Sequence, residues 1–337
     1  MQLEKYKILI NDELQILEEY IEYIINQNIQ HSGVKLSKVI SYITAGKGKR
    51  IRSIILLLLV KSLKNNNKTS KAINNVKKDI GVPKFDNYIK LAALIELLHT
   101  ATLLHDDVID ESQYRRNKFT VNYKWGNLSS IVAGDWLLSI IFQILVDINN
   151  KEILKIFSNA FNNLVSGELQ QLKFVNNNKL SYEQYLQIIT KKTAILFELA
   201  TAIPAILSKS NNEILYHVKN YGFNLGLSFQ MSDDILDYLG DPKIRGKNIG
   251  EDINNGKITL PVIELLKINP QYYKIYSSNH DIDKLLEILN STGAIKNSIA
   301  ITKMHCDAAI KNLEPINNSC YTEALTHIAE SITSRLH

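Results

Sequence analysis

The sequence predicts an all-α protein, and three observations predict it. Helix breakers are few, 14 glycines and 6 prolines in 337 residues. No run of alternating β-branched residues marks a strand. Apolar residues recur at helical spacing in segment after segment. Hydrophobic residues make up 45% and charged residues 22%, an ordinary balance for a globular chain. The length suits one large domain or two ordinary ones, and residues 1–337 are read as one.

Residues 3–29 come first, with Leu3, Tyr6, Ile10, Leu14, Leu17, Ile21, Ile24 and Ile25 forming a packing face. In AGKGKRIRSIILLLLV, residues 45–60, Gly46 and Gly48 break that helical region and basic residues precede an apolar helix. Lys49 and Arg52 lie on one side of its first turn. Backbone N–H groups at a helix start, beside glycine, suit a phosphate; a solvated basic loop is the other reading. Residues 64–88, rich in Asn and Lys, are expected to be a surface insertion.

The stretch Leu91 to Arg116, LAALIELLHTATLLHDDVIDESQYRR, organises the rest. Leu91, Leu94, Ile95, Leu97, Leu98, Leu103 and Leu104 leave no wide polar side, so this helix belongs inside a bundle. Yet it ends in Asp106, Asp107 and Asp110, at the negative end of the macrodipole. Buried anions are costly unless something pairs with them. Asp106 and Asp110 are one turn apart and His99 lies two turns before Asp106, so the three share a face. A cation is the expected partner. Arg115 and Arg116 follow, suited to bidentate binding of carboxylate or phosphate; salt bridges to the aspartates are the alternative.

Two more helices are expected over 128–148 and 151–174, the second carrying Glu168, Gln170 and Gln171 among apolar neighbours. Another covers 182–209, with Lys192 and Thr193 at its middle; Lys192 could simply snorkel to the surface. Pro204 should bend or end that helix. Residues 213–240 repeat the earlier theme, an apolar helix closing on Asp233, Asp234 and Asp237, with Gln230 one turn before Asp234. A glycine-punctuated loop then carries Lys247, Asp252 and Lys257. From about 268 to His337 short helices with no chemical signature are expected.

Composition excludes several classes. A net charge of +5, spread along the chain, gives no nucleic-acid footprint. Cys306 and Cys320 have no CxxC partner, so no disulfide framework is expected and a reducing, cytoplasmic setting is. The start carries Glu4 and Asp12 and makes a poor signal or transit peptide. The longest aliphatic run, Ile54 to Val60, is too short to span a bilayer, so any lipid is met from the aqueous side.

One Asp-Asp-x-x-Asp is a weak signal; two, each closing an apolar helix, are a strong one. Oxygen ligands without His or Cys companions suit Mg²⁺, which shares its shell with substrate phosphates. With the Lys and Arg residues named above, they imply a diphosphate substrate with a greasy remainder.

The motifs GKGKRIRS, ELLHTATLLHDDVIDES with YRR, AGDWLL, GELQQL, KKTAILFE, FQMSDDILDY and GKNIGEDINNGKITLP resemble those of the trans-isoprenyl diphosphate synthase family. They resemble most its long-chain, octaprenyl-type members. The resemblance runs from about Gly46 to Leu265 and implies a helical bundle around a deep central cavity, usually a homodimer. It implies that Asp106, Asp110 and Asp233 hold Mg²⁺, supported by Asp107, Asp234 and Asp237. It places an allylic diphosphate, farnesyl or geranyl, with Arg115, Lys192, Lys247 and Lys257. Isopentenyl diphosphate goes with Lys49, Arg52, His99 and Arg116. Thr193 and Gln230 match positions beside the reacting carbon. Lys47 and Ser53 depart from a usual Gly and Pro, and Asn117 from a usual Gly.

Ala101 and Thr102, about one turn below Asp106, are small, where family members that stop early often carry aromatics. The expected product is therefore long, near C40, of the kind used for quinone side chains. The alternatives are a shorter-chain synthase of geranylgeranyl or farnesyl type, or a non-catalytic partner subunit. A class I terpene cyclase would normally carry an Asn/Ser/Glu metal motif in place of the second aspartate triplet.

Overall fold

The computed structural model describes residues 3–29, 33–44, 46, 48–64, 85–116, 118–175, 180–239, 252, 255–273, 276 and 282–336. It is helical almost throughout. The helices that matter here are α1 (Asn11–Ile29), α2 (Gly33–Thr44), α3 (Ile51–Lys64), α4 (Asn87–Ile109), α5 (Asn127–Ile148) and α6 (Lys151–Leu172). They continue with α7 (Tyr182–Ile189), α8 (Ile195–Leu207), α9 (Asn212–Leu239), α10 (Leu260–Ile268), α11 (Ile282–Ser291), α12 (Ala294–Lys311) and α13 (Cys320–Thr333). Among the described residues the only strands are Tyr114–Arg115 and Lys118–Phe119, a two-strand antiparallel hairpin.

Apolarity dictates the layout. Every residue of α3 from Ile51 to Val60 is buried, because α4, α8 and α13 enclose it. The expectation for α4 holds: Leu91 to Leu98 are all buried, and α1, α3, α5 and α8 pack around it. Helix α9 packs against α8, α12 and α13. These helices share one apolar core; α7 and α10 to α12 close over a second.

Some expectations change. The first predicted helix is interrupted by a 3-10 turn, Ile8–Ile10. Residues 65–84 of the expected insertion lie outside the described residues, but Phe85 packs on Tyr20 and α4 begins at Asn87, so the insertion stops short of 88. The region after 268 is not made of short helices alone: α12 has 18 residues and α13 has 14. The single helix predicted over 182–209 is divided by a π-helical turn, Thr190–Ala194, where Ile195 N–H donates to Thr190 O five residues back. Such wide turns recur at functional sites. Gly226 of α9 makes room for it, since a Cβ there would lie 2.5 Å from Ala194 Cα. Pro204 sits inside α8, which ends three residues later at Leu207.

Among the described residues one helix, α5, is long and apolar enough by length and composition to cross a membrane, although its aliphatic residues form no long uninterrupted run. Its inner side packs on α4, while Leu128, Ile131, Val132, Phe142 and Val146 stay exposed.

Candidate functional site

The end of α4 is a knot of charge. Asp107 is only 4% exposed, and Arg115 reaches it with Nε at 2.8 Å and Nη2 at 2.7 Å from Oδ1. Asp110 Oδ2 accepts from Lys257 Nζ at 2.6 Å. Burial opposes the Lys257 ammonium, but Asp110, Asp252 and Glu168 together outweigh it and the Lys257 pKa is raised. Burial pushes the Asp106 carboxyl up to about 6; Lys192 and Arg115 oppose the rise, and Glu168 and Asp110 add to it. Lys192 comes from the π turn, donates to Gln171 Oε1 at 2.8 Å and pairs with Glu168. It has not snorkelled away: its ammonium is turned toward α6.

The second triplet lies in the last turns of α9. Asp233 is half-exposed, with Arg335 Nη1 3.7 Å away. Asp234 is buried with both oxygens engaged: Tyr185 OH donates to Oδ2 at 2.6 Å and Gln230 Nε2 to Oδ1 at 2.8 Å. Gln230 Oε1 in turn accepts from Thr193 Oγ1 at 2.6 Å, tying the π turn to α9. Asp237 Oδ2 accepts the Asp252 N–H at 3.1 Å.

A continuous line of contacts joins the two triplets. Asp110 meets Lys257, Lys257 N–H donates to Asp252 O at 2.8 Å, and Asp252 N–H meets Asp237. The acidic ends of α4 and α9 therefore stand on the same side of the molecule.

Beside them lies a cationic cluster. Arg52 is buried, its guanidinium 4.7 Å from the Phe197 ring centre, and its Nε has no hydrogen-bond partner. Burial lowers it to about 10, with Glu96 and Asp233 opposing and Arg116 adding. Burial together with Arg52, Arg116, Arg115 and Arg50 holds His99 well below the usual imidazole range. Arg116 also loses basicity on burial, beside Arg115, and lies against Gly48. One buried carboxylate faces this group: Glu96 Oε1 accepts from Ser53 N–H at 3.3 Å and Ser53 Oγ at 2.9 Å, and its Oε2 is 3.7 Å from Arg50. Several desolvated cations around one carboxylate make a receptor for an external polyanion.

Asp106, Asp110, Arg115, Lys192, Thr193, Gln230, Asp233 and Lys257 thus meet in one region, with Arg52, His99 and Arg116 beside it. Lys49 is exposed. Lys47, Asn117 and Lys247 lie outside the described residues. Ala101 is fully buried, and Thr102 Oγ1 bonds back to His99 O at 2.8 Å. Four contributors were missed by sequence reasoning, Arg50, Glu96, Tyr185 and Arg335, and Glu168 was singled out without a role. Glu96 had a signal, a carboxylate in the middle of an all-apolar helix. Ser53, where the family usually has Pro, gives Glu96 a backbone N–H that a proline lacks. Among the described residues no three side chains of His, Cys, Asp or Glu come close enough to hold a metal ion by themselves.

Comparison with known proteins gives the same answer along the whole chain. A polyprenyl synthetase family model matches residues 34–291. The chain is 32% identical over 343 aligned residues to octaprenyl diphosphate synthase of Escherichia coli (strain K12), covering 99% of each chain. Its fold is similar to a decaprenyl diphosphate synthase from Rhodobacter capsulatus, TM-score 0.87, 26% identity, 99% of each chain covered. It is also similar to a polyprenyl synthase from Caulobacter crescentus CB15 complexed with calcium and isoprenyl diphosphate, TM-score 0.85, 28% identity, covering 99% and 98%.

Proposed function

Because the chain belongs to the polyprenyl synthetase family and is a long-chain trans-polyprenyl diphosphate synthase, we propose that it adds isopentenyl diphosphate repeatedly to an allylic diphosphate with Mg²⁺. We read the product as octaprenyl in length, about C40, as in a relative named octaprenyl diphosphate synthase, and of the kind used for quinone side chains. The contact line from Asp110 through Lys257 and Asp252 to Asp237 carries this reading, because it sets two acidic helix ends on one side. We read residues 1–337 as one synthase domain.

The donor set fits magnesium. It is all carboxylate oxygen, which suits a hard cation that also takes diphosphate oxygens into its shell. Asp106, Asp110 and Asp233 would hold it, with Asp107, Asp234 and Asp237 in support; Asp110 shares its carboxylate with Lys257. Bound there, the metal neutralises charge that develops on the departing diphosphate. Lys192, Lys257, Arg115 and Lys247 share that load, so the allylic carbon–oxygen bond can break. Arg52, His99, Arg116 and Lys49 hold isopentenyl diphosphate with its double bond toward the cation. A carbon–carbon bond forms, and a proton leaves to the released diphosphate. Thr193 and Gln230, hydrogen-bonded to each other, would stand beside the reacting carbon. The buried walls exclude water, which would trap the cation as an alcohol.

The purified protein, given farnesyl or geranyl diphosphate, labelled isopentenyl diphosphate and Mg²⁺, is expected to yield octaprenyl diphosphate. A product of geranylgeranyl length would replace this reading with the shorter-chain one, and no turnover would favour a partner subunit. Ala101→Phe is expected to shorten the product; unchanged length would remove Ala101 as the floor.

The exposed apolar face of α5, continued by Val165, Leu169 and Leu172 of α6, supports a homodimer. Light scattering on the purified protein at micromolar concentration tests it. We place the enzyme in the cytoplasm, touching the membrane only to release its product.

A further inference from the structure

The run AGDWLL, residues 133–138 on α5, contributes nothing to the substrate contacts above, yet it grips the turn that carries Asp106. The imidazole of His105 lies over Gly134, where a Cβ would come within 2.3 Å of Nε2. His105 Nε2 stands 3.2 Å from the Ile131 carbonyl, which only accepts, so Nε2 carries the hydrogen. Asp135 Oδ1 is 3.4 Å from the same nitrogen. On the same helix, Ser130 Oγ donates to Leu104 O at 2.8 Å. From the other side Asn122 Nδ2 donates to Asp107 O at 2.9 Å. Residues 104, 105 and 107 are all tied to neighbouring elements, and Asp106 sits between them.

That turn needs holding. It sets three carboxylates at the negative end of a helix dipole, and Asp106 and Asp110 repel each other one turn apart. A frayed last turn would spoil the spacing at which both carboxylates meet one metal–diphosphate unit. We infer that His105, seated on Gly134 and Asp135, is a positioning residue that fixes the last turn of α4 for metal–diphosphate binding. This rests on the reading of Asp106 and Asp110 as metal holders and gives the AGDWLL run its part in that site.

The test is calorimetric titration of Mg²⁺ into the full-length protein with saturating inorganic pyrophosphate, beside thermal unfolding of the metal-free protein. His105→Ala is expected to weaken Mg²⁺ about tenfold, the usual size of an outer-shell loss. Gly134→Ala is expected to do the same by displacing the ring. His105→Gln, which keeps an N–H donor for the Ile131 carbonyl, is expected to recover most of the affinity. Should Gly134→Ala fail to fold, the His105 pair decides alone. Equal Mg²⁺ affinity in His105→Ala and the parent overturns the inference. So does a lower melting temperature in His105→Ala with unchanged affinity. Asp106→Asn separates the two levels. If it binds Mg²⁺ as the parent does, the metal reading itself falls and the inference with it. If it loses binding while His105→Ala does not, only the role of His105 falls.

Discussion

Asp107 and Asp234 are each the second carboxylate of an Asp-Asp pair, and each is 4% exposed. Their surroundings are opposite. Asp107 is met by a guanidinium, and its neighbour Asp110 by an ammonium. Asp234 is met by a phenol and an amide, both neutral. Burial therefore holds the Asp234 carboxyl well above the usual carboxylate range, with Asp252 adding and the two hydrogen bonds opposing. The first triplet is held by charge, the second by a neutral hydrogen-bond network reaching to Thr193 on the π turn. Two similar strings of letters thus divide the work: the end of α4 collects cations, while α9 sets the half-exposed carboxylate of Asp233 beside the buried Asp234.

The largest effect is expected from the open carboxylate of the charged end. Asp106→Asn should lower kcat about 10³-fold, the scale of removing a group that stabilises transition-state charge. Asp237→Asn keeps an oxygen to accept the Asp252 N–H and should cost about tenfold or less. Steady-state kinetics at saturating Mg²⁺ compares them. Equal losses would break the division between the two ends.

Next comes the lysine that joins them. Lys257→Met removes the cation from the Asp110 carboxylate while preserving a similar apolar stem. Lost charge pairing on this scale is expected to cut kcat/KM for the allylic diphosphate about 10²-fold. An unchanged kcat/KM would mean that Lys257 ties the fold together without serving the substrate.

How much of this was legible beforehand follows the same division. The charged end could be read because its residues are neighbours in sequence: Asp106, Asp107, Asp110, Arg115 and Arg116 lie within three turns' length of chain. The helices could be read because apolar spacing sets them, α5 and α6 to within two residues of their ends. The neutral network could not be read. Tyr185 sits 49 residues from Asp234, and nothing in a phenol's sequence position says which carboxylate it will meet. The π turn was hidden too, since KKTA continues a helical pattern and the wider turn shows only in tertiary packing, where Gly167 and Gly226 both approach it closely. Arg335 was invisible because 103 residues separate it from Ser232, beside which the fold places it.

Stability should separate the ends again. Asp234→Ala leaves Tyr185 OH and Gln230 Nε2 without their acceptor, which is expected to cost about 1–3 kcal/mol in urea unfolding. Asp234→Asn should cost less, because an amide oxygen can still accept from Tyr185 and the Gln230 amide can turn to suit.

A pH effect of similar or smaller size can be read at the charged end. In the metal-free protein the Asp106 pKa is raised to about 6, so the folded state holds its proton more tightly than the unfolded chain. Its contribution to stability is complete below the unfolded value and is lost as pH rises to about 6. Mg²⁺ needs the deprotonated carboxylate, so it should raise the melting temperature more at pH 7.5 than at pH 5.5, with the change centred near 6. In Asp106→Asn that pH dependence should vanish.

The smallest expected effect tests the open carboxylate of the neutral end. Arg335 lies in the last turn of the chain, its guanidinium 5.3 Å from the Phe229 ring centre and 3.7 Å from Asp233, with Nη2 3.5 Å from Ser232 Oγ. Its Nε is buried and has no hydrogen-bond partner. The contact to Asp233 is long and Asp233 is 43% exposed, so solvent screens the pair and its own worth is about 1 kcal/mol or less. Arg335→Ala should therefore raise KM for a diphosphate substrate about two- to fivefold and leave kcat nearly unchanged. Arg335→Lys keeps the charge but not the planar group over Phe229, so it should recover only part of the loss. A fall in kcat with KM unchanged would show that Asp233 depends on Arg335 for its placement in the transition state, and the α9 end would then be held by charge as the α4 end is.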